Sequence, residues 1–307
     1  MKVIYGLGNI ARVKSTAIAI GIFDGVHRGH QALIQRMIKC AKAHHATATV
    51  ITFFPHPVHV LRPGNKLPYL LSLSQRLALF ESLGVKQTIV IDFDKPFAAI
   101  SPQYFIEHYL NEKLNAKAIL VGEDFRFGRN RQGDIFLFKE LSAVCGYDFI
   151  ALKAVTYQRS PISSTRLRGL ITEGNLKLAK QLLGRPFFLA GKVIKGDARG
   201  RTLGFRTANI AYDADIVPPK GVYAVRLTVG QNTHDAVANL GVRPSFNLAH
   251  QGLHLEVHVI NKQMSLYGKT VKVSFIKKIR DEKSFASIEM LKQQINRDIQ
   301  QAKRILK

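Results

Sequence analysis

Long apolar runs, cysteines and acidic side chains are all scarce in this chain. No apolar run approaches the roughly 20 residues of a bilayer span, so a transmembrane protein is not expected. The first residues, Met1 to Gly6, carry no long apolar stretch of the kind a secretory signal needs. The only cysteines are Cys40 and Cys145. They are distant in sequence and form no Cys-x-x-Cys, which argues against a disulfide framework and against a cysteine-rich metal site. A reducing, cytoplasmic setting is therefore expected. No repeat or low-complexity segment interrupts the chain. Asp and Glu number 21 against 45 Lys and Arg, a formal charge of +24. Such an excess raises nucleic-acid binding as a reading. Yet the basic residues are spread along the whole chain. Their densest stretch, Lys269 to Lys283, alternates with Val271, Val273, Phe275, Ile276 and Ile279, as a strand with a solvated basic face would. An enzyme acting on polyphosphates fits the charge equally well.

What is present is a globular chain of 307 residues, 46% hydrophobic, long enough for two domains with separate cores. The first half alternates strand and helix. Apolar runs predict strands over 17–23, 48–53, 88–91, 118–121 and 149–152, and helical periodicity fills 31–43, 74–83, 102–114 and 134–144 between them. That rhythm predicts an α/β domain with a doubly wound parallel sheet, whose binding sites gather at the carboxyl ends of the strands. Two short helices follow, over 164–173 and 176–183, ended by Gly184-Arg185-Pro186. Beyond Phe187 the runs are short, alternating and punctuated by glycine: 188–194, 221–229, 235–240, 253–260 and 270–276. They predict an antiparallel β-barrel, and the periodicity over 287–305 predicts a closing helix. The expected domains are 1–183 and 184–307.

The most informative segment is Ala17-Ile18-Ala19-Ile20-Gly21-Ile22-Phe23-Asp24-Gly25-Val26-His27-Arg28-Gly29-His30. It reads as a strand, a tight turn and a helix start. The free N–H groups and positive dipole end of such a helix attract phosphate, and Gly29 leaves room for close approach. The two histidines either stabilise charge on a nucleotide phosphate or merely cap the helix. Pro55-His56-Pro57, after the second strand, is a stiffened loop that aims a histidine or a plain rigid turn. Asp124-Phe125-Arg126-Phe127-Gly128 suits stacking on a flat heterocycle, with Asp124 fixing polar edges, or it is a loop packed by its own rings. Ser164, Thr165, Arg166 and Arg168 put hydroxyls and cations at a helix start, where cations are disfavoured unless an anion is bound. Gly6-Leu7-Gly8-Asn9-Ile10-Ala11 matches a dinucleotide fingerprint only on paper, since no apolar helix opens after it. In the second half, Gly200 to Asn209 reads as a glycine-bearing loop with oxygen donors, of which Thr207 and Asn209 suit Mg²⁺ and phosphate. Glu256 and His258 share one face of a strand, where Glu256 is either a base for a hydroxyl nucleophile or a surface residue.

In this order the motifs resemble those of the bacterial bifunctional riboflavin kinase/FAD synthetase family. The likeness runs from Met1 to the last helix. Phe23 to His30, Asp124 to Gly128 and Ile162 to Arg168 look like its adenylyltransferase signatures. Gly204 to Asn209, Gly221-Val222-Tyr223-Ala224, Asn239 to Pro244 and Glu256-Val257-His258 look like its kinase signatures. The resemblance implies a nucleotidyltransferase-like Rossmann domain followed by a kinase barrel. The barrel would phosphorylate riboflavin to FMN, and the first domain would adenylylate FMN to FAD with release of pyrophosphate, each using ATP with Mg²⁺. It further implies that Gly21, Phe23, His27, Gly29, His30, Ser164, Thr165 and Arg168 meet one ATP and Thr207 and Asn209 the other, the latter pair with Mg²⁺. Pro55, His56, Asp124 and Phe125 would line the flavin, and Glu256, His27 and His30 would be catalytic.

One departure stands out. The family has proline between the phenylalanine and threonine of its Phe205–Asn209 segment, and this chain has Arg206. Proline would pin the loop, whereas arginine loosens it and adds charge. Two alternatives follow: an FAD synthetase with an impaired kinase module, and a nucleic-acid-binding protein with a basic barrel. For the latter, the aromatics Tyr223, Phe246 and Tyr267 are scattered rather than gathered into a stacking platform. The partners expected are small molecules, with no nucleic acid and no membrane.

Overall fold

The computed structural model describes residues 1–8, 10, 14–65, 67–195, 205–242, 253–262 and 264–307. By compactness the chain divides into Met1–Ser164 and Thr165–Lys307.

The first unit runs β1 (Lys2–Tyr5), β2 (Thr16–Ile20), α1 (Arg28–Ala43), β3 (Thr47–Phe54), α2 (Pro57–Leu61), α3 (Leu73–Ser82), β4 (Gln87–Asp92), α4 (Lys95–Ala98) and α5 (Pro102–Tyr104). A π-helix, Phe105–Lys113, then leads to β5 (Ala116–Gly122), α6 (Ile135–Cys145), β6 (Asp148–Leu152) and the small hairpin β7 (Thr156–Tyr157) and β8 (Ser160–Pro161). The six larger strands form one parallel sheet in the order β1-β4-β3-β2-β5-β6. Every residue of β2 is buried. A central parallel strand is covered on both faces, so it reads as an unbroken apolar run.

Two of the expected elements take a different form in the structure. The strand expected over 17–23 stops at Ile20, because Phe23 (φ 56°), Gly25 (φ 83°) and Val26 (φ 41°) take left-handed backbone that no strand accommodates. The helix expected over 102–114 is a single α turn followed by the π-helix. Its wider turn pairs backbone groups five residues apart. The Leu114 N–H accordingly donates to the Tyr109 carbonyl at 3.1 Å.

The second unit is led in by α7 (Ser164–Thr172), whose first residue closes the first unit, and by α8 (Leu176–Leu183). β9 (Phe188–Ile194), β10 (Ala208–Tyr212), β11 (Gly221–Val229), β12 (Asn232–Val242), β13 (Leu253–Val259), β14 (Thr270–Arg280) and α9 (Ile288–Leu306) follow. The six strands close an antiparallel barrel in the order β10-β13-β12-β11-β14-β9. β10 lies where the sequence reads as a loop: only Ile210 among its five residues is buried, too little alternation to announce a strand. Gly191 permits the β9–β10 closure, since a Cβ there would sit 2.0 Å from the Ala211 carbonyl oxygen. α8 packs on β14 through a face that buries Leu176, Ala179, Leu182 and Leu183. α9 buries Ala302 and Leu306 against Ala224 and Ile260. Its Asp298 is gripped by Arg280 of β14, with Nε and Nη2 donating at 3.0 and 2.8 Å. Among the described residues no helix is long and apolar enough to cross a membrane.

Candidate active sites

In the first unit the chain winds outward from β2 through β3 to β4, then returns to the other side of β2 with β5 and β6. The direction reverses between β2 and β5. In doubly wound sheets ligands bind at the carboxyl edge beside that reversal. The turn after β2 holds His27 and His30, and the loop after β5 holds Asp124 and Phe125, so two of the sequence motifs flank this point. Pro55 and His56 follow β3, the neighbour of β2 on its other side.

His27 is the N-cap of α1: its Nδ1 accepts the His30 N–H at 3.3 Å. That bond leaves its proton on Nε2. Capping and phosphate binding are therefore compatible, because they use different nitrogens. Gly29 serves this arrangement directly, since a Cβ there would meet the His27 ring at 3.2 Å. His56 repeats the device. It caps α2, its Nδ1 accepting the Val58 N–H at 3.1 Å, and Pro57 opens that helix. The His56 N–H donates to the Tyr69 hydroxyl at 2.6 Å. Both histidines are buried, at 6% and 7% exposure, yet sit at loop ends rather than in the core. Gly21 ends β2 with its N–H on the Ile51 carbonyl at 3.1 Å. Phe23 is fully buried against His30 and Phe80, which leaves only its main chain to meet a nucleotide.

In the loop after β5, Asp124 is exposed and Phe125 half-buried. Phe125 stacks on Phe127, which is buried and stacks in turn on Phe138. One ring of the pair is thus core, and the other is left at the loop surface beside Asp124. Within the first unit, the Ser164 hydroxyl donates to the Asp24 carbonyl at 2.7 Å, holding the turn after β2. Thr165 and Arg168 lie on the first turns of α7. The fingerprint-like segment from Gly6 follows edge strand β1; its Asn9 and Ala11 lie outside the described residues.

In the barrel, Glu256 of β13 stands opposite Asn209 of β10 on one side and Asn239 of β12 on the other. The three share one face across adjacent strands, turned away from buried Leu255 and Val257. All three side chains offer oxygen to a ligand, the donor chemistry that Mg²⁺ prefers. His258, two residues on and on the same face, contacts the Arg206 carbonyl through Nδ1 at 2.9 Å, and the Phe205 ring meets it edge-on. Thr207 is exposed beside this anchor. Gly200 to Gly204, Arg243, Pro244 and Phe246 lie outside the described residues. Of the other two aromatics of the nucleic-acid reading, Tyr223 is fully buried and Tyr267 is exposed.

Sequence reasoning missed three residues at these sites. Asp24 is 2% exposed and its carboxylate accepts the Leu70 and Leu71 N–H groups at 3.0 and 3.4 Å. Arg76 is fully buried below the same turn. Its signal is a cation four residues before core-facing Phe80, on the apolar stripe of α3. Asn239 enters the site only through strand register, which sequence does not display.

Comparison with known proteins agrees with this division of labour. The FAD synthetase family model matches residues 10–166, and the riboflavin kinase family model matches 183–306. The bifunctional riboflavin kinase/FMN adenylyltransferase of Escherichia coli K12 is 38% identical over 301 residues, 97% of this chain and 96% of that protein. The one from Bacillus subtilis is 36% identical, covering 94% and 91%. A solved Streptococcus pneumoniae structure, described as a macrolide-efflux protein, superposes over 99% of both chains with a TM-score of 0.86 at 30% identity. With both family models matched in order and relatives similar along nearly the whole length, this chain belongs to the bifunctional riboflavin kinase/FMN adenylyltransferase family, whose two activities take riboflavin to FAD.

Proposed function

We propose that the barrel phosphorylates riboflavin and that the first unit adenylylates the FMN so formed. The observation that carries the kinase half is the row Asn209–Glu256–Asn239 across three strands. Glu256 takes the proton of the ribityl 5′-hydroxyl as its oxygen attacks the γ-phosphorus of ATP and ADP leaves. Thr207 and Asn209 supply oxygen ligands for Mg²⁺. When bound, the metal neutralises charge on the phosphates of ATP. Among the described residues no cluster of three His, Cys, Asp or Glu offers another metal site.

The adenylyl half rests on the turn after β2. A phosphate oxygen of FMN attacks the α-phosphorus of a second ATP, and pyrophosphate leaves. His27, through its Nε2–H, and His30 stabilise the charge that builds on that phosphorus. Gly21, the Phe23 main chain and Gly29 let the nucleotide approach, and Ser164, Thr165 and Arg168 assist at its phosphates. Pro55, His56, Asp124 and Phe125 receive the flavin. Incubation of the protein with riboflavin, ATP and Mg²⁺ tests the whole: FMN should appear first and FAD after it. FAD from supplied FMN, with no FMN from riboflavin, would instead mark an impaired kinase module. Tight RNA binding lost log-linearly with salt would favour the nucleic-acid reading.

A further inference from the structure

Arg76 is the largest fully buried side chain in the first unit, at 0% exposure. Its Nη1 donates to the Ile22 carbonyl at 2.7 Å and to Thr52 Oγ1 at 3.3 Å, while the Thr52 hydroxyl donates to the same Ile22 carbonyl at 3.0 Å. Ile22 is the last residue before the three left-handed positions Phe23, Gly25 and Val26. Two of these are not glycine, so the turn persists only if its surroundings hold it. Other holds grip its middle and end: Asp24 on the Leu70 N–H, Ser164 on the Asp24 carbonyl, and Gln31 Nε2 on the Val26 carbonyl at 2.8 Å. Arg76 and Thr52 hold its beginning.

Folding alone does not call for an arginine there. α3 is already closed by the Ser72–Gln75 capping box. Nε and Nη2 of Arg76 have no hydrogen-bond partner among the described residues, and buried donors left unmet are costly. Burial pushes the guanidinium's pKa down, while the Asp24 carboxylate opposes that shift. The guanidinium also lies 6.0 Å from the centre of the Tyr69 ring, whose hydroxyl holds the His56 N–H. One buried cation therefore touches the turn after β2 directly and the loop after β3 only by way of Tyr69.

We propose that Arg76 is a positioning residue for adenylyl transfer, holding the strained turn so that His27 and His30 are set for the ATP phosphates. The proposal rests on the reading that those histidines serve AMP transfer. Arg76 is too buried to touch substrate and acts through the Ile22 carbonyl.

The test uses full-length Arg76→Met and Arg76→Lys, assayed for FMN adenylylation and riboflavin phosphorylation below their melting transitions. Arg76→Met should lose about tenfold or more in adenylylation kcat with KM for ATP within about threefold, because preorganisation rather than binding is lost. Phosphorylation should stay unchanged. Arg76→Lys should recover most of the lost kcat. Wild-type kcat in Arg76→Met, a loss confined to KM, or Arg76→Lys as slow as Arg76→Met would each overturn the proposal. If Arg76→Met does not fold, Arg76→Gln decides: reduced kcat at unchanged KM supports the proposal and wild-type kcat overturns it. Failure of the underlying reading would show separately, as wild-type adenylylation in the histidine variants themselves.

Discussion

The imidazole rings of His27 and His30 lie stacked, 3.6 Å between centroids and 16° from parallel. The His27 Nδ1 bond to the His30 main chain holds them in that pose and leaves His27 Nε2–H as a donor. Helix capping and catalysis can therefore be separated by substitution. Asparagine caps helices well but carries no donor where Nε2 stands. His27→Asn should melt within about 0.5 kcal/mol of wild type, since the cap survives. Its FMN adenylylation should fall by about 10²–10³, the cost of one lost charge-stabilising donor. Riboflavin phosphorylation should not change. Comparable adenylylation in His27→Asn and wild type would remove His27 from the chemistry and leave it a cap.

The row Asn209–Glu256–Asn239 makes a second prediction, confined to the barrel. Glu256→Gln keeps shape and hydrogen-bonding reach but cannot take a proton at neutral pH. FMN formation should drop by about 10²–10⁴, while adenylylation of supplied FMN continues. Normal phosphorylation in this variant would return Glu256 to the status of a surface residue.

How much of this was legible in the sequence depended on range. β2 and β3 are buried on both faces, so their apolar runs name them without reference to any partner. α8 was bounded by Asn175 and Gly184, an N-cap and a left-handed C-cap that act within one turn. Glu256 and His258 could be put on one face by alternation alone. What stood opposite them could not, because Asn209 lies 47 residues before Glu256 and meets it only through β10, a strand with one buried side chain. The same holds for Arg76, whose meaning depends on Ile22, 54 residues away. The π-helix was hidden because its five-residue spacing resembles an α pattern over so short a span.

The division of the chain gives a third prediction. The sequence puts a boundary at Gly184, the left-handed C-cap of α8 (φ 71°), whereas α8 packs on β14, within the same compact unit as the barrel. Leu176, Leu182 and Leu183 are all buried on that helix. Fully burying such side chains contributes about 1.5–3 kcal/mol each. Fragments 165–307 and 184–307 should both fold, with the longer melting higher by roughly 10 °C or more. Equal melting temperatures would show that α7 and α8 add nothing to the barrel.

The last prediction concerns Arg206, where the family carries proline. The Arg206 carbonyl is held by His258 Nδ1, and the Phe205 ring meets that imidazole edge-on, so the loop is anchored by a strand residue rather than by a ring in its own backbone. Two anchors that serve one purpose are not additive. Arg206→Pro alone should change kinase kcat/KM for ATP by less than about threefold, because His258 already holds the loop. His258→Ala should lower it by about tenfold through a looser Phe205–Thr207 segment. In the double variant His258→Ala/Arg206→Pro, proline should restore a good part of that loss. The check is a double-mutant cycle on FMN formation, with adenylylation of supplied FMN as the control. Strictly additive effects would mean that His258 and Arg206 act independently. A large loss in Arg206→Pro alone would mean that the arginine has become a phosphate ligand in place of the loop's missing stiffness.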